Sequence, residues 1–342
     1  MDVPKLNTLS PQTGQEFLLS LKSDTKVLVG ASDIILPEAG ATDFKKGLLK
    51  DTPKGECSFK ELNPHIRIND VFDGLEYTVK DVSNLFVLGC GPPVENIIST
   101  KSTKSPEYGK ESAQEIKGQN INSIRTGSAF QRSRLLCRPR YAYCLTFDSC
   151  SNIAIVGMEI GHLEKGFCAG GVLRFINCKN ISLESSVLFG SGTEGICLEG
   201  VRGFRLFNSM IRDCTFNILT INGCERLEFL QSSFISNGEY NLINISRSRS
   251  LSFTKCHFED NGKEGAFFSV YSGSRYSDAA EEKTEEVEEE KEEKEYREEI
   301  PPIIIRNSFF KNNRASCFTT DFRLFRLVQN KFEGNSFDNT VM

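Results

Sequence analysis

Three histidines and no tryptophan leave few side chains suited to chemistry in this 342-residue chain. Gly161-His162-Leu163-Glu164 sets one of those histidines two residues before a carboxylate. Gly192-Thr193-Glu194-Gly195 holds a second carboxylate between glycines, and Arg212-Asp213 sets a cation beside an anion. Glu239-Tyr240 and Lys263-Glu264 follow in similar polar, glycine-containing stretches. Glycoside hydrolysis needs two carboxyl groups about 5–9.5 Å apart, one to protonate the leaving oxygen and one as base or nucleophile. A lyase needs a basic residue beside the proton α to a carboxylate, and Arg212 is the nearest choice. His162, Glu164, Glu194, Arg212 and Asp213 are therefore the candidate catalytic residues. Glu239, Tyr240 and Lys263 are the candidate binding residues.

Other chemistries lack support. His162, Glu164 and Cys168 are the nearest thing to a metal-ligand set. There is no Cys-x-x-Cys pair, and a turn offers no fixed ligand spacing. No metal and no cofactor is assigned. The chain has no Gly-x-Ser-x-Gly elbow and no Walker-type phosphate loop. His65 and His257 border strand runs and read as structural or surface residues. Most of the 12 cysteines lie in apolar strand patterns, as Cys144, Cys178 and Cys197 do, and read as reduced core fillers.

The elements that position these residues come from an internal repeat. The triplets Ile181-Ser182-Leu183, Phe204-Arg205-Leu206, Leu227-Glu228-Phe229 and Leu251-Ser252-Phe253 start 23, 23 and 24 residues apart. Ile303-Ile304-Ile305 and Phe325-Arg326-Leu327 continue the series, while Leu85-Phe86-Val87 and Ile153-Ala154-Ile155 precede it. Seven residues after the starts stand Ile160, Leu188, Ile211, Phe234, Phe258, Phe310 and Phe332. Eight and six residues before them stand pairs such as Leu145/Phe147, Leu173/Phe175 and Leu219/Ile221. Alternation within each short run has period two, so the runs are strands. Three strands in 22–24 residues make one coil of a parallel β-helix, with equivalent side chains stacked about 4.8 Å apart. Leu183, Leu206, Phe229 and Phe253 should then form one vertical file. Asn237, Asn261, Asn313 and Asn335, ten residues after their triplet starts, should form an inward ladder bonded to peptide groups. The leucine-rich alternative requires L-x-x-L-x-L-x-x-N/C-x-L, and no repeat shows that string.

Stacked coils place the turns after the second strand side by side, so the candidate residues should share one edge. Residues 14–22 read as an amphipathic helix plugging the first coil, and Thr25–Val29 as a first strand. The organisation expected is a cap over 1–60 and a β-helix over 61–342. Two insertions interrupt it. Residues 91–140 carry nine Lys/Arg against four Glu, a local charge of +5. Residues 278–299 carry twelve Glu and Asp278 against four basic residues, a local charge of −9. Opposite charges suit them to partner binding or mutual masking.

Net charge of −5 disfavours a general nucleic-acid binder. No run of about 18 apolar residues is present, so no membrane span is expected. The N-terminus lacks a basic start followed by an apolar core, and a cytoplasmic location is expected. Little in the sequence covers the last coil, and a homo-oligomer through that end is a further expectation.

The stretch Pro139-Arg140-Tyr141-Ala142 through Leu145-Thr146-Phe147, then Gly161-His162, Gly170-Gly171-Val172-Leu173 and Gly192-Thr193-Glu194-Gly195, resembles a bacterial β-helix-repeat group of no assigned activity. Over about residues 60–340 the repeat resembles the pectate-lyase-like superfamily. That resemblance implies an all-β, right-handed single-stranded parallel β-helix with an N-terminal capping helix. The polygalacturonase-like set of Asp-Asp, Gly-His-Gly and Arg-x-Lys is missing, since Leu163 follows Gly161-His162. The pectate-lyase-like calcium face is also missing, with Ser182, Arg205, Glu228 and Ser252 in its place. The leading expectation is a scaffold or binding protein that holds a glycan polymer or a protein partner along the turn edge. Two alternatives stand beside it: a carbohydrate-active lyase or hydrolase with its site on the 161–195 and 212–240 turns, and an oligomeric surface-associated depolymerase.

Overall fold

The computed structural model describes residues 6–37, 62–91, 132–164, 169–271 and 303–337. Its strands form a right-handed parallel solenoid with three strands per coil, one in each of three long sheets. Among the described residues, sheet A has ten strands and sheets B and C have nine each. In sheet A, Leu183, Leu206, Phe229 and Phe253 are successive register partners. The file continues to Ile155 and Val87 below and to Ile305 and Leu327 above. Sheet B stacks Leu135, Ile160, Leu188, Ile211, Phe234, Phe258, Phe310 and Phe332 in the same way. Sheet C stacks Phe147, Phe175, Leu198, Ile221 and Ile245. These columns face inward and bury one continuous apolar core. Toward the C-terminal coils that core becomes aromatic, with near-parallel rings 4.5 Å apart for Phe258–Phe310 and 4.9 Å apart for Phe310–Phe332.

Each corner carries its own polar column, because a buried turn must find partners for its peptide groups. Between sheets A and B, the Ser186 amide donates to the Ser209 hydroxyl at 3.1 Å and the Ser209 amide to Ser232 at 3.3 Å. Between B and C the asparagine ladder is present. Asn237 N–H donates to Asn261 Oδ1 at 3.1 Å, and Asn261 N–H to Asn313 Oδ1 at 3.1 Å. Each Nδ2 also reaches a carbonyl of the coil before, as Asn261 does to Phe234 at 2.8 Å. Between C and A, the thiols of Cys150, Cys178 and Cys224 lie 3.4 Å from carbonyls of the preceding coil. They act as small residues with a weak donor.

The plug is a helix at Gly14–Ser20, started by Thr13, whose hydroxyl accepts from Glu16 N–H at 3.2 Å. It buries Phe17 and Leu18 over the first coil. The fully buried Asn63 amide donates to the carbonyls of Leu18 and Leu21, which closes the helix end. An antiparallel hairpin, Ile66–Val71 and Gly74–Lys80, edges sheet C. The first insertion is shorter than its composition suggests. Ser133–Cys137, inside 91–140, is a sheet B strand between Asp33–Ile35 and Met158–His162. It buries Leu135, Leu136 and Cys137 in a row, a short apolar run that the surrounding basic charge obscures. Residues 92–131 and the Glu-rich segment lie outside the described residues. No helix among the described residues is long and apolar enough to cross a membrane.

Candidate functional site

The row of turns joining sheet B to sheet C carries two exposed aromatic pairs. Phe72, at the tip of the sheet C hairpin, lies 5.1 Å from Tyr141, and Phe216 stacks on Tyr240 at 5.3 Å. All four rings are exposed. Asp73 orders the first pair by accepting from Arg140 N–H at 2.6 Å and Tyr141 N–H at 3.2 Å. Phe216 lies three coils above Tyr141, roughly 14 Å along the axis at the ordinary strand spacing. Charged side chains flank the rings. Arg140 Nε donates to Glu164 at 3.1 Å, and Lys263 Nζ lies 3.9 Å from Glu239. Tyr240, Glu239, Lys263 and Glu164 lie between sheet B and sheet C strands, on this row of turns.

Glu194 is on the outer face of sheet C and is buried. Tyr143 donates its hydroxyl to one carboxylate oxygen, and Thr220 donates to the other at 3.2 Å. Asn217 Nδ2 supports Thr220 at 2.9 Å. Burial first, and the neighbouring Glu194 carboxylate second, push the Tyr143 phenol well above its ordinary value, so it stays protonated. The Arg174 guanidinium lies 5.5 Å from the Tyr143 ring centre and grips Glu199 at 2.7 and 2.9 Å. Burial lowers the Arg174 pKa, and Glu199 outweighs it, for a net rise. Tyr143 reaches Glu194 across an intervening coil. It does so because Gly171 lies beneath its ring, where a Cβ would stand 2.2 Å from a ring carbon. Sequence reasoning missed Tyr143, and the Gly170-Gly171 pair was the signal of that close approach.

Arg212 and Asp213 belong to a different network, on the outer face of sheet B. Arg212 pairs with Asp213 and with Glu159 at 3.2 Å, and Arg134 lies 3.8 Å from the same Glu159. Both arginines lie over the Phe189 ring, at 5.0 and 5.9 Å. Glu194 is thus held by Tyr143 and Thr220, and Asp213 by Arg212.

His162 departs from the expected edge altogether. It ends the sheet B strand Met158–His162 and is buried inside the solenoid in register with Cys137. In the coils above, the equivalent positions, Gly190, Asp213, Ser236 and Asp260, have φ of 55–74° and turn the chain early. His162 keeps strand geometry one residue longer, so alternation continues inward through Ile160 to the imidazole. Its Nε2 lies 3.1 Å from the Gly171 carbonyl. Burial holds the ring below its usual pKa, opposed in part by nearby carbonyls and Asp73. Cys137 and Cys144 are its buried neighbours.

No family model and no curated protein matches the chain. Among solved structures it is similar to an alginate lyase from Paenibacillus sp. str. FPU-7, at 9% identity and a TM-score of 0.46, covering 97% of this chain and 98% of that one. It is also similar to PfbA, a surface adhesin of Streptococcus pneumoniae. One PfbA structure matches at 8% identity and a TM-score of 0.32, over 98% of this chain and 72% of that one. A second matches at 10% and 0.31, over 97% and 89%.

Proposed function

We propose that this solenoid binds an extended glycan along the edge where sheet B turns into sheet C. The supporting observation is the two exposed aromatic pairs on that one row of turns. A single exposed ring is ordinary, whereas paired rings repeated along an edge mark a contact surface. Aromatic faces suit the apolar C–H faces of sugar rings, and the tyrosine hydroxyls suit their rims. Glu164, Arg140, Glu239 and Lys263 supply hydrogen-bonding groups beside the rings. The same reading places the chain in the cytoplasm, supported by core thiols used as donors to backbone carbonyls. The test is calorimetric titration with a panel of soluble neutral and uronate polysaccharides. At least one should bind, and Tyr141→Ala and Tyr240→Ala should each weaken it about tenfold, on the order of 1.4 kcal/mol. Binding to none of them, or binding by both variants as tight as that of the wild type, would refute the reading.

A second reading is a carbohydrate-active enzyme, favoured by the Tyr143–Glu194 contact. A phenol held protonated beside a buried carboxylate is a donor–acceptor pair of the kind general acid–base catalysis uses. Its test is the release of reducing ends or new carbon–carbon double bonds from the bound polysaccharide. The enzyme should lose that activity in Tyr143→Phe, and wild type without either product would exclude this second reading.

A further inference from the structure

We propose that Cys137, Cys144 and His162 form a site for one zinc-type, thiophilic divalent cation at the B-to-C corner that joins Ser133–Cys137 to Leu145–Asp148. Cys137 closes the sheet B strand Ser133–Cys137, and Cys144 immediately precedes the sheet C strand Leu145–Asp148. His162 stands over Cys137 in the next coil. The three residues are 2%, 0% and 1% exposed, and one ligand atom from each lies within 4.8 Å of the other two. Zn–S bonds of about 2.3 Å and Zn–N bonds of about 2.0 Å require ligand atoms about 3.5–3.8 Å apart in a tetrahedron. The side chains need close by only about an ångström to meet that geometry.

A second observation points to a ligand. His162 Nδ1 is buried and makes no hydrogen bond of normal geometry, although the Pro139 carbonyl also faces the ring. Its other nitrogen faces the Gly171 carbonyl at 3.1 Å, and a carbonyl can only accept. Nε2 therefore carries the proton, and the neutral ring presents the Nδ1 lone pair. A ring nitrogen fixed by a backbone carbonyl is the usual outer contact of a metal-bound histidine. An orphaned polar atom in an apolar core is costly, and coordination removes that cost. Two thiolates and one dication sum to zero charge, which suits a buried site. A water molecule completes the tetrahedron.

The corner is built differently from those above it. At the equivalent position Gly190, Asp213, Ser236, Asp260 and Asn312 adopt positive φ, and the asparagine ladder takes over the turn from Asn237 onward. Cys137 and His162 have no positive φ, and thiols and imidazole occupy the corner instead.

The test is Co2+ titration of the reduced full-length protein under anaerobic conditions. The result expected is thiolate-to-cobalt charge transfer with tetrahedral d–d bands, saturating at one Co2+ per chain and displaced by Zn2+. Cys144→Ser and His162→Gln should lose the bands, while Cys90→Ser, at an exposed thiol elsewhere, should keep them. Absence of charge transfer in wild type would overturn the proposal, as would bands of equal strength in Cys144→Ser and His162→Gln. A Cys137–Cys144 disulfide in protein purified without oxidant would also overturn it. Should the variants not fold, alkylation mapping of wild type decides. Zn2+ should slow labelling of Cys137 and Cys144 and leave Cys256 unchanged, and equal labelling with and without Zn2+ refutes the site.

Discussion

Replacing Asn261 by alanine tests whether the B-to-C ladder holds the coils together. Asn261 Oδ1 accepts from both Asn237 N–H, at 3.1 Å, and Asn237 Nδ2, at 3.0 Å. Its Nδ2 donates to Phe234 C=O at 2.8 Å and to Asn313 Oδ1 at 2.9 Å. All four bonds are buried. Truncation strips the Asn237 N–H of its ladder acceptor, at about 1–3 kcal/mol, and removes other bonds at about 0.5–1.5 kcal/mol each. The expected destabilisation is about 2.5–7.5 kcal/mol. Asn335 ends the same ladder with part-buried bonds to Asn313 and Phe310, where water replaces the lost partner. Asn335→Ala should therefore cost about 1 kcal/mol. Solenoids open locally, so guanidinium melts need native-state hydrogen exchange beside them. The Asn237 amide should lose protection in Asn261→Ala and keep most of it in Asn335→Ala. Equal costs for the two variants, or an Asn237 amide still protected in Asn261→Ala, would refute the claim that the ladder carries this corner.

Three further outcomes follow from the same geometry. Leu206→Ala opens the middle of the sheet A file and should cost about 2–5 kcal/mol in denaturant melts, whereas Leu327→Ala, exposed in the last coil of that file, should cost under about 1 kcal/mol. Tyr143→Phe leaves the buried Glu194 carboxylate with Thr220 and should destabilise by about 1.5–3 kcal/mol, with Thr220→Val milder; a neutral Tyr143→Phe would show that the phenol is incidental. Burial raises the Glu259 carboxyl, but Lys311 at 2.6 Å and His257 at 2.8 Å outweigh it and hold the carboxyl below its usual 4.5. Its contribution is complete above that unfolded value and is lost as pH falls through the depressed one, so the stability gap between wild type and Glu259→Gln should narrow from pH 7 to pH 3.

The solenoid was legible because stacking makes chemistry repeat. Leu183, Leu206, Phe229 and Phe253 share a type because they share a place, and Asn237, Asn261 and Asn313 do so for the same reason. The candidate site was less legible because a repeat says which turn a residue occupies, not where its side chain points. One backbone angle decides that. Asp213, at φ 56°, turns the chain at the end of sheet B, whereas His162 at the equivalent position continues the strand and faces inward. Arg212 escaped the edge for another reason, since Glu159 two coils below offers it a partner on the sheet face. Tyr143 was hidden because its partner Glu194 is 51 residues away, and only the missing Cβ of Gly171 opens the route between them.

The two proposals meet in one turn, which makes their coupling measurable. Tyr141 and Tyr143 lie between Cys137 and Cys144, so a cation held by those thiols closes the loop that presents both tyrosines. A loop pinned at its base binds with less ordering cost than a loose one. Removing the cation should then weaken glycan binding through Tyr141 while leaving Tyr240, four coils and roughly 19 Å away, unaffected. In a double cycle, chelation combined with Tyr141→Ala should lose less than the sum of the separate losses. Chelation combined with Tyr240→Ala should be additive, as expected for sites more than about 10 Å apart. Additivity at Tyr141 would separate the two sites and leave the corner cation a role in stability alone. Non-additivity at both positions would mean that chelation unfolds the edge as a whole, and circular dichroism of the chelated protein would then show the loss of strand signal.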